Sequence, residues 1–175
     1  MAKKLESMGS DTLAIKDMAG FLNPQSTKDL VSLLVKNISI PVHIHSHATA
    51  GLASLNLIAA VEAGATIIDT CNSSFSEGAS HPTTESIIAA LQSMGYEVNI
   101  DISEIESISE HLREVRKKYW QFESEFTGVD PRVLSNQVPG GMISNLSNQL
   151  KDQDALEKMD DVLKEIPEVR KDLGY

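Results

Sequence analysis

The sequence predicts an α/β fold with a parallel sheet, because three short apolar segments are each followed by a segment with helical periodicity. The predicted strands are residues 12–16, 40–45 and 66–70. Each is rich in β-branched residues, and their spacing approaches the roughly 30 residues of one strand–helix unit. Strands joined through helices pair in parallel, with right-handed crossovers. Short strands of this composition are expected to be buried on both faces of the sheet.

Helix-start signals follow the predicted strands. Asn23 and Pro24 favour a helix that begins after the first strand, with proline in its first turn. A loop rich in serine and glycine, residues 72–80, separates the third strand from a further helix. We expect Thr83 or Thr84 to cap that helix with its side chain.

Strand signals stop after residue 97, so we divide the chain into residues 1–97 and a helical segment, residues 98–175. At the other end, residues 3–8 have the pattern of a helix that Gly9 terminates. We therefore expect the chain to begin inside a repeating series of strand–helix units.

The helical segment contains one predicted long helix, followed by two further helical stretches of which residues 156–166 are the last. Residues 103–126 have the apolar periodicity of one amphipathic helix, and residues 156–166 that of another, which Pro167 is expected to end. Between them, Gly140 and Gly141 are expected to form a turn, since no preceding strand or adjacent lysine indicates a phosphate-binding loop.

Half of the aromatic residues stand near the end of the first of these helices, at Tyr119, Trp120, Phe122 and Phe126. Aromatic side chains contribute much of the buried area in protein cores, so we expect this group to pack the helix against the rest of the chain. A docking surface for a partner chain is the alternative.

The composition, 41% hydrophobic and 23% charged residues, is that of an ordinary globular protein. The formal net charge of −10 disfavours binding to nucleic acid or anionic lipid. No apolar run approaches the roughly 20 residues of a bilayer span, and no secretory signal is recognisable, so we expect no direct membrane insertion. The single cysteine, Cys71, excludes an internal disulfide and favours a cytoplasmic location. We expect its thiol to be buried and inert.

Three of the five histidines, His43, His45 and His47, alternate along the second predicted strand. Alternate residues of a strand share one face, with Cα atoms about 6.5 Å apart, so two imidazoles at this spacing can converge on one metal ion. Imidazole suits zinc, cobalt, manganese or iron. Ligand sites of parallel sheets lie at the carboxyl ends of the strands. We therefore favour a metal site over histidines that only satisfy hydrogen bonds.

Lys16 ends the first predicted strand 29 residues before His45, so both residues occupy equivalent ends of neighbouring parallel strands. An ammonium group has no lone pair for a metal ion, but carbamylation by CO2 would convert the lysine into an anionic oxygen ligand. A lysine paired with Asp17 or Asp69 is the alternative.

Four segments carry a family resemblance: residues 15–20 (IKDMAG), 41–47 (PVHIHSH), 62–70 (EAGATIIDT) and 137–146 (QVPGGMISNL). Together they resemble the carboxyltransferase domain of biotin-dependent enzymes, which include pyruvate carboxylase, the oxaloacetate decarboxylase alpha subunit and transcarboxylase. The methionine directly after the paired glycines, Met142, makes this segment more similar to that of the decarboxylase alpha subunit or of a separate pyruvate carboxylase B subunit than to that of single-chain pyruvate carboxylase. The resemblance implies the C-terminal part of a TIM-type (β/α)8 barrel, about three βα units, followed by an all-helical segment.

The resemblance also implies a site. A divalent metal (zinc, manganese or cobalt) would be bound by a carbamylated Lys16 and by His45 and His47, with His43 as a neighbour rather than a ligand. Lys16 would thereby be a catalytic residue. The implied metal acts as a Lewis acid on the carbonyl of a keto acid. The implied reaction moves a carboxyl group between biotin, carried on another domain or chain, and pyruvate or oxaloacetate.

Some residues of the family site lie outside this sequence. The resemblance implies a metal-binding aspartate with substrate-binding arginine and glutamine on the first barrel strand, and a proton-carrying threonine beyond Tyr175. Three βα units cannot close a barrel. We therefore expect assembly with the missing barrel half or as a homo-oligomer. A non-catalytic fragment or assembly module is the alternative. A different metal-dependent lyase is disfavoured by the similarity at residues 137–146.

Two positions depart from the family pattern. Ala48 stands where an aspartate usually follows the second histidine of the family motif. The absence of that aspartate would weaken the hydrogen bonding that orients the metal ligands. Cys71 stands where a small residue is usual. His81 belongs to a loop that resembles one in the family, and we expect its role to be structural.

Overall fold

Three parallel strands form one sheet in this computed structural model, in the order β1 (Leu13–Asp17), β2 (Val42–Ser46) and β3 (Ile67–Ile68). Lys16 of β1 lies opposite His45 of β2. β3 is shorter than its predicted span, but the N–H of Asp69 donates to the carbonyl of Ile44 at 3.0 Å, so the parallel ladder continues beyond it. The predicted parallel pairing of consecutive strands is confirmed.

Helices connect and follow the strands. The structure describes residues 1–123, 128–136, 138 and 140–174. The helices are α1 (Ala2–Ser7), α2 (Pro24–Val35), α3 (Ala53–Glu62), α4 (Thr84–Ser93), α5 (Ile102–Lys117), α6 (Val133–Asn136), α7 (Gly140–Asp152) and α8 (Met159–Asp172), with 3-10 turns at Trp120–Phe122 and Leu156–Lys158. None of the helices within these ranges combines the length and the apolar character that a bilayer span requires.

One face of the sheet carries the main core. Val42 and Ile44 of β2 pack there against Val31 of α2 and Leu57 of α3, and all four side chains are buried. Full burial of side chains of this size contributes about 1.5–3 kcal/mol each. These contacts hold the two helices on the sheet and leave the alternate residues of the strands pointing the other way.

The opposite face of the sheet is open. Ala14 and Lys16 are exposed, His43 and His45 are half-buried, and Ile67 is 36% exposed. The prediction that both faces are buried is therefore wrong, because α2 and α3 cover only the other side. The open face carries the candidate site.

Two predicted helix ends are confirmed. α1 ends before Gly9, whose positive φ of 92° is the left-handed conformation that glycine adopts readily. α2 begins at Pro24, where Asn23 Oδ1 accepts from the N–H of Ser26 at 2.9 Å and Ser26 Oγ accepts from the N–H of Asn23 at 3.2 Å. This reciprocal pair is a capping box.

The start of α4 differs in detail from the prediction. Thr83 occupies the N-cap position, but its side chain makes no capping hydrogen bond. Its hydroxyl donates instead to Glu77 Oε1 at 3.1 Å, and the hydroxyl of Thr84 donates to Thr70 Oγ1 at 2.8 Å. The expected side-chain cap is wrong because both hydroxyl groups are used to hold the preceding loop.

α5 is shorter than its predicted span of 103–126, of which residues 124–126 lie outside the described residues. The N–H groups of Lys118 and Tyr119 donate to carbonyls three residues back, at 3.0 and 2.9 Å. Bonds over three residues rather than four tighten the last turn and end the helix.

The aromatic side chains that follow α5 do not pack as expected. Tyr119, Trp120 and Phe122 are 54%, 73% and 73% exposed. The predicted burial is therefore wrong for these three residues, and Phe126 lies outside the part of the chain that the structure describes. The cause is the early end of α5, which places them in a surface turn.

Two predictions for the last helices are wrong. Gly140 and Gly141 begin α7 rather than forming a turn, and α8 continues through Pro167. Proline removes one helical hydrogen bond, but packing of an apolar face supplies most of the stability of a protein helix. α7 and α8 share a buried cluster whose members are Val138, Ile143, Met159 and Leu163.

A buried serine joins α5 to α4 and the preceding loop. Ser109 is 1% exposed, and its hydroxyl donates to Glu85 Oε1 at 2.7 Å. Glu85 also accepts from the N–H of Ser73 at 3.1 Å. Burial raises the pKa of Glu85, but the hydrogen bonds from Ser73 and Ser109 outweigh it and lower the pKa below its usual value.

We expect Glu85→Gln to lower the free energy of unfolding by about 1–2 kcal/mol at neutral pH, because a neutral amide with one acceptor oxygen replaces a carboxylate. Since the folded-state pKa is depressed, this stabilisation is present above the unfolded-state pKa of about 4.3 and is lost as the pH falls through the folded-state pKa. Urea unfolding across this pH range measures it, with exposed Glu106→Gln as the control. The unfolding free energies of the wild-type chain and of Glu85→Gln should converge as the pH falls into the acid range. A difference that stays constant with pH would contradict the role of the carboxylate.

Candidate metal centre

The candidate site lies at the carboxyl ends of β1 and β2. Lys16 and His45 are register partners there, as their spacing predicted. His47 follows the last residue of β2, and its N–H donates to the carbonyl of Asp17 at 3.0 Å, which holds the two strand ends together. His43 and His45 share the open face of the sheet, because alternate residues of a strand point the same way.

Asp69, directly after β3, orients two of these histidines. His43 Nε2 donates to Asp69 Oδ1 at 2.8 Å, and His45 Nδ1 donates to Asp69 Oδ2 at 2.7 Å. Burial raises the pKa of Asp69, but the hydrogen bonds from His45 and His43 outweigh it and lower the pKa. Because a carboxylate can only accept, His45 carries its proton on Nδ1 and its lone pair on Nε2 when neutral.

Ring nitrogens of His45, His47 and His81 converge and lie within 4.8 Å of one another. The Nε2 atoms of His45 and His47 are 3.3 Å apart. His47 Nδ1 donates to the carbonyl of Ala79 at 2.7 Å, and His81 Nδ1 donates to the carbonyl of Ser46 at 3.0 Å. With Nδ1 protonated on each neutral ring, the three Nε2 atoms carry the lone pairs.

This arrangement fits a metal ion. Two lone pairs 3.3 Å apart repel each other unless a cation lies between them. Two nitrogens bound to tetrahedral zinc at about 2.0–2.1 Å are themselves about 3.3–3.4 Å apart. Metal-binding histidines commonly donate their second N–H to a carboxylate or a backbone carbonyl, as His45, His47 and His81 do. The donor set therefore suits a divalent metal.

The electrostatic surroundings of His47 favour its neutral form. Burial lowers the pKa of His47, and the hydrogen bond to Ala79 opposes that effect. A positive charge on His81, His45 or Lys16, when that group is protonated, lowers the pKa of His47 further. A neutral imidazole is the form that binds a metal ion.

Lys16 is exposed on the open face, and it takes part in no ion pair with another described residue. The alternative that Lys16 pairs with Asp69 or Asp17 is not observed; the Asp69 carboxylate accepts from His43 and His45 instead. Gly20 closes the turn after β1 with a φ of 70°, and a Cβ there would lie 2.7 Å from the carbonyl oxygen of His47. Only glycine fits this close approach of the two strand ends.

Asp17 is a buried anchor beneath the site. It is 8% exposed, and its carboxylate accepts from the N–H groups of Phe21 (2.8 Å) and Leu22 (3.1 Å) and from Ser46 Oγ (3.0 Å). These bonds fix the loop after β1 and connect it to β2. Asp17 thus positions the backbone that presents Lys16 rather than neutralising the lysine.

Ala48 and Cys71, the two departures from the family pattern, both hydrogen-bond through their backbone N–H groups to the loop that carries His81. Ala48 is buried, and its N–H donates to the carbonyl of Ser80 at 2.8 Å. Cys71 is half-buried, so the expectation of a buried thiol is wrong. Its N–H donates to the carbonyl of Pro82 in the loop that carries His81. Both residues therefore help to place that loop beside the strands.

Two known protein families match different parts of the chain. Residues 1–112 match the HMGL-like family, over more than half of the sequence. The chain belongs to the HMGL-like family. Residues 133–175 of this HMGL-like protein also match a conserved carboxylase domain, PYC_OADA. The resemblance to biotin-dependent carboxyltransferases that the motifs indicated is thereby confirmed.

Three known proteins illustrate the similarity. The pyruvate carboxylase B subunit of Methanocaldococcus jannaschii is 49% identical over 100% of this chain and 31% of its own length. The methylmalonyl-CoA carboxyltransferase 5S subunit of Propionibacterium freudenreichii subsp. shermanii is 40% identical over 100% of this chain and 35% of its own length. The carboxyl transferase domain of Rhizobium etli pyruvate carboxylase, solved with pyruvate and biocytin, has a TM-score of 0.89 at 33% identity, covering 94% of this chain and 28% of that one.

The chain spans about a third of the length of the curated relatives it matches. Its α/β fold is that of the TIM-barrel-type carboxyltransferase domain of pyruvate carboxylase. The ligand roles of Lys16, His45 and His47 stay predictions, as does the division between residues 1–97 and 98–175. His81, which the sequence indicated only as structural, joins the histidine cluster through a contact over 34 positions that no local pattern reveals.

Proposed function

We propose that this HMGL-like chain is part of a metal-dependent carboxyltransferase that moves a carboxyl group between biotin and pyruvate or oxaloacetate. It would be of the oxaloacetate decarboxylase alpha or pyruvate carboxylase B type. The observation that carries the proposal is the Nε2 pair of His45 and His47 beside Lys16 at the ends of two parallel strands. Residues 1–97 would be the later three βα units of a (β/α)8 barrel, and residues 98–175 the start of the helical segment after it.

Each residue of the site has a distinct part in this proposal. His45 and His47 would hold a zinc, manganese or cobalt ion through Nε2, and Lys16 would join them as a carbamate. When bound, the metal supplies Lewis-acid polarisation of the keto acid carbonyl. Asp69 keeps His45 in the tautomer whose Nε2 is free, and burial keeps His47 neutral. The exposed amine of Lys16 is accessible to dissolved CO2.

The partners follow from the same proposal. Biotin would arrive on a carrier domain or another chain, and the R. etli domain solved with biocytin, the lysine conjugate of biotin, supports this. The missing barrel half, or a second copy of the chain, would pack on the open face of the sheet, where Ala14 and Ile67 are exposed. We propose a cytoplasmic location and no nucleic-acid partner.

Metal analysis of the purified chain is the direct test. After incubation with zinc, manganese or cobalt and gel filtration, we expect about one ion per chain, and loss of that ion in His45→Ala. His111→Ala changes an exposed histidine of α5 and is the matched control. A wild-type chain that retains no metal would contradict the metal site and would favour the assembly-module alternative.

Carboxyl transfer needs a second assay. The segments of a relative that lie outside this sequence, added as a separate polypeptide with a biotin carrier, should restore transfer of the carboxyl group from carboxybiotin to pyruvate, which forms biotin and oxaloacetate. Lys16→Ala should abolish that restored activity. If the completed mixture with the wild-type chain binds metal and transfers no carboxyl group, the proposed reaction is wrong while the metal site stands.

A further inference from the structure

We propose that His81 is a metal ligand, so that His45, His47 and His81 form a three-histidine site that holds a divalent ion without a carbamate on Lys16. This inference rests on the proposed metal site and goes beyond it, since neither the motifs nor the family resemblance indicated His81 as a ligand. Carbamylated Lys16 would then add to a site that already binds its ion.

The position of the His81 ring supports this role. Its centroid lies 4.3 Å from that of His45 and 4.5 Å from that of His47. The rings are inclined to one another by 69° and 51°, so they are not stacked face to face. Each ring offers one nitrogen to a common region in which those nitrogens lie within 4.8 Å of one another.

The loop that carries His81 is built onto the strand that carries the other two histidines. The N–H of Ala48 donates to the carbonyl of Ser80 at 2.8 Å, and His47 Nδ1 donates to the carbonyl of Ala79 at 2.7 Å. His81 Nδ1 donates in turn to the carbonyl of Ser46 at 3.0 Å. Three bonds between residues 46–48 and 79–81 therefore hold His81 in place before any metal binds.

Nδ1 of His81 is satisfied, and Nε2 is the nitrogen left for a ligand. The bond from Nδ1 to the carbonyl of Ser46 serves the fold and leaves the lone pair of the neutral ring on Nε2. Within the described ranges, Nε2 of His81 has no hydrogen-bond partner, and one ring nitrogen each of His81, His45 and His47 lies within 4.8 Å of the others. Converging lone pairs on three neutral rings are compensated by a cation.

Three imidazoles make a complete donor set for a reactive metal. Catalytic zinc sites use three protein ligands and keep a fourth position open for water or substrate. A site of this kind binds its ion at low CO2, because none of its ligands has to be formed from CO2. Metal binding by this chain would therefore be independent of bicarbonate, in contrast to a site that depends on a lysine carbamate.

Cobalt(II) binding to the full chain tests the inference. The informative variant is His81→Asn, because the asparagine amide can replace Nδ1 as donor to the carbonyl of Ser46 but has no counterpart of Nε2. The comparison variants are Lys16→Ala, His45→Ala and the control His111→Asn, each titrated by visible absorption in degassed buffer with and without bicarbonate.

We expect His81→Asn to weaken cobalt binding by more than the roughly 10- to 100-fold that loss of a supporting hydrogen bond costs. Its thermal unfolding midpoint without metal should match that of the wild-type chain. Lys16→Ala and removal of bicarbonate should change the affinity by less than about tenfold, a smaller effect than loss of a supporting bond. X-ray absorption of the cobalt-loaded wild-type chain should count three imidazoles.

Other results would overturn the inference. If His81→Asn binds cobalt as the wild-type chain does, His81 is structural. If bicarbonate removal abolishes binding, the site requires the carbamate on Lys16 and the three histidines alone do not hold the ion. A count of two imidazoles in the wild-type chain leads to the same conclusion even if His81→Asn fails to fold. If His45→Ala retains the metal, the proposed metal site itself is wrong.

Discussion

Asp69→Asn is expected to weaken metal binding by about 10- to 100-fold. The Asp69 carboxylate accepts from both His43 and His45, so each ring keeps its proton on the side that faces Asp69. An asparagine offers one acceptor oxygen and one amide donor to the same two rings. One histidine must then present a lone pair to the amide, and when that ring is His45, its proton moves to Nε2 and blocks the ligand atom.

The affinity of the chain for cobalt or zinc measures this effect, with unfolding of the metal-free protein recorded in parallel. Asp11→Asn, which removes an exposed carboxylate outside the site, is the matched control. We expect His43→Ala to have a smaller effect than Asp69→Asn, because it leaves the bond between Asp69 and His45 intact. An Asp69→Asn variant with the affinity of the wild-type chain would contradict the orienting role of Asp69.

Asp17→Ala is expected to lower the free energy of unfolding by about 3–4 kcal/mol. The side chain is 8% exposed and accepts three hydrogen bonds, two from backbone N–H groups and one from Ser46 Oγ. Each hydrogen bond to a charged group contributes about 1.5–3 kcal/mol, and a donor left buried without a partner has a further cost. The loop after β1 is expected to relax partly in the variant, so the loss of unfolding free energy is smaller than the sum of the three hydrogen-bond contributions.

Urea denaturation measures this change, with Asp11→Ala as the control for loss of a surface carboxylate. Asp17→Asn should fall between Asp17→Ala and the wild-type chain, because one acceptor oxygen remains. In Ser46→Ala, the cost of Asp17→Ala should shrink, since that variant has already lost one of the three bonds. Equal stability of Asp17→Ala and Asp11→Ala would show that the anchor beneath β1 and β2 contributes nothing to the fold.

The exposed aromatic residues after α5 and the continuous α8 show where local patterns mislead. Periodicity predicted α5 through residue 126, yet the helix ends at Lys117 and leaves Trp120 73% exposed. Proline predicted an end at residue 167, but α8 continues because its apolar face packs on α7. In both cases the outcome depends on what the segment packs against, and that information is not local.

The amino-acid sequence by itself determined the alternation of strands and helices, the start of α2, and the alignment of Lys16 with His45. These features depend on side-chain periodicity and on the length of one strand–helix unit. Both can be read from consecutive residues without knowledge of the tertiary structure. Only the tertiary structure decided that Asp69 orients His43 and His45 and that His81 joins the cluster. Those contacts connect β2 and the residue after it with the segments that follow β3, and their geometry is set by sheet register and by hydrogen bonds between segments distant in sequence.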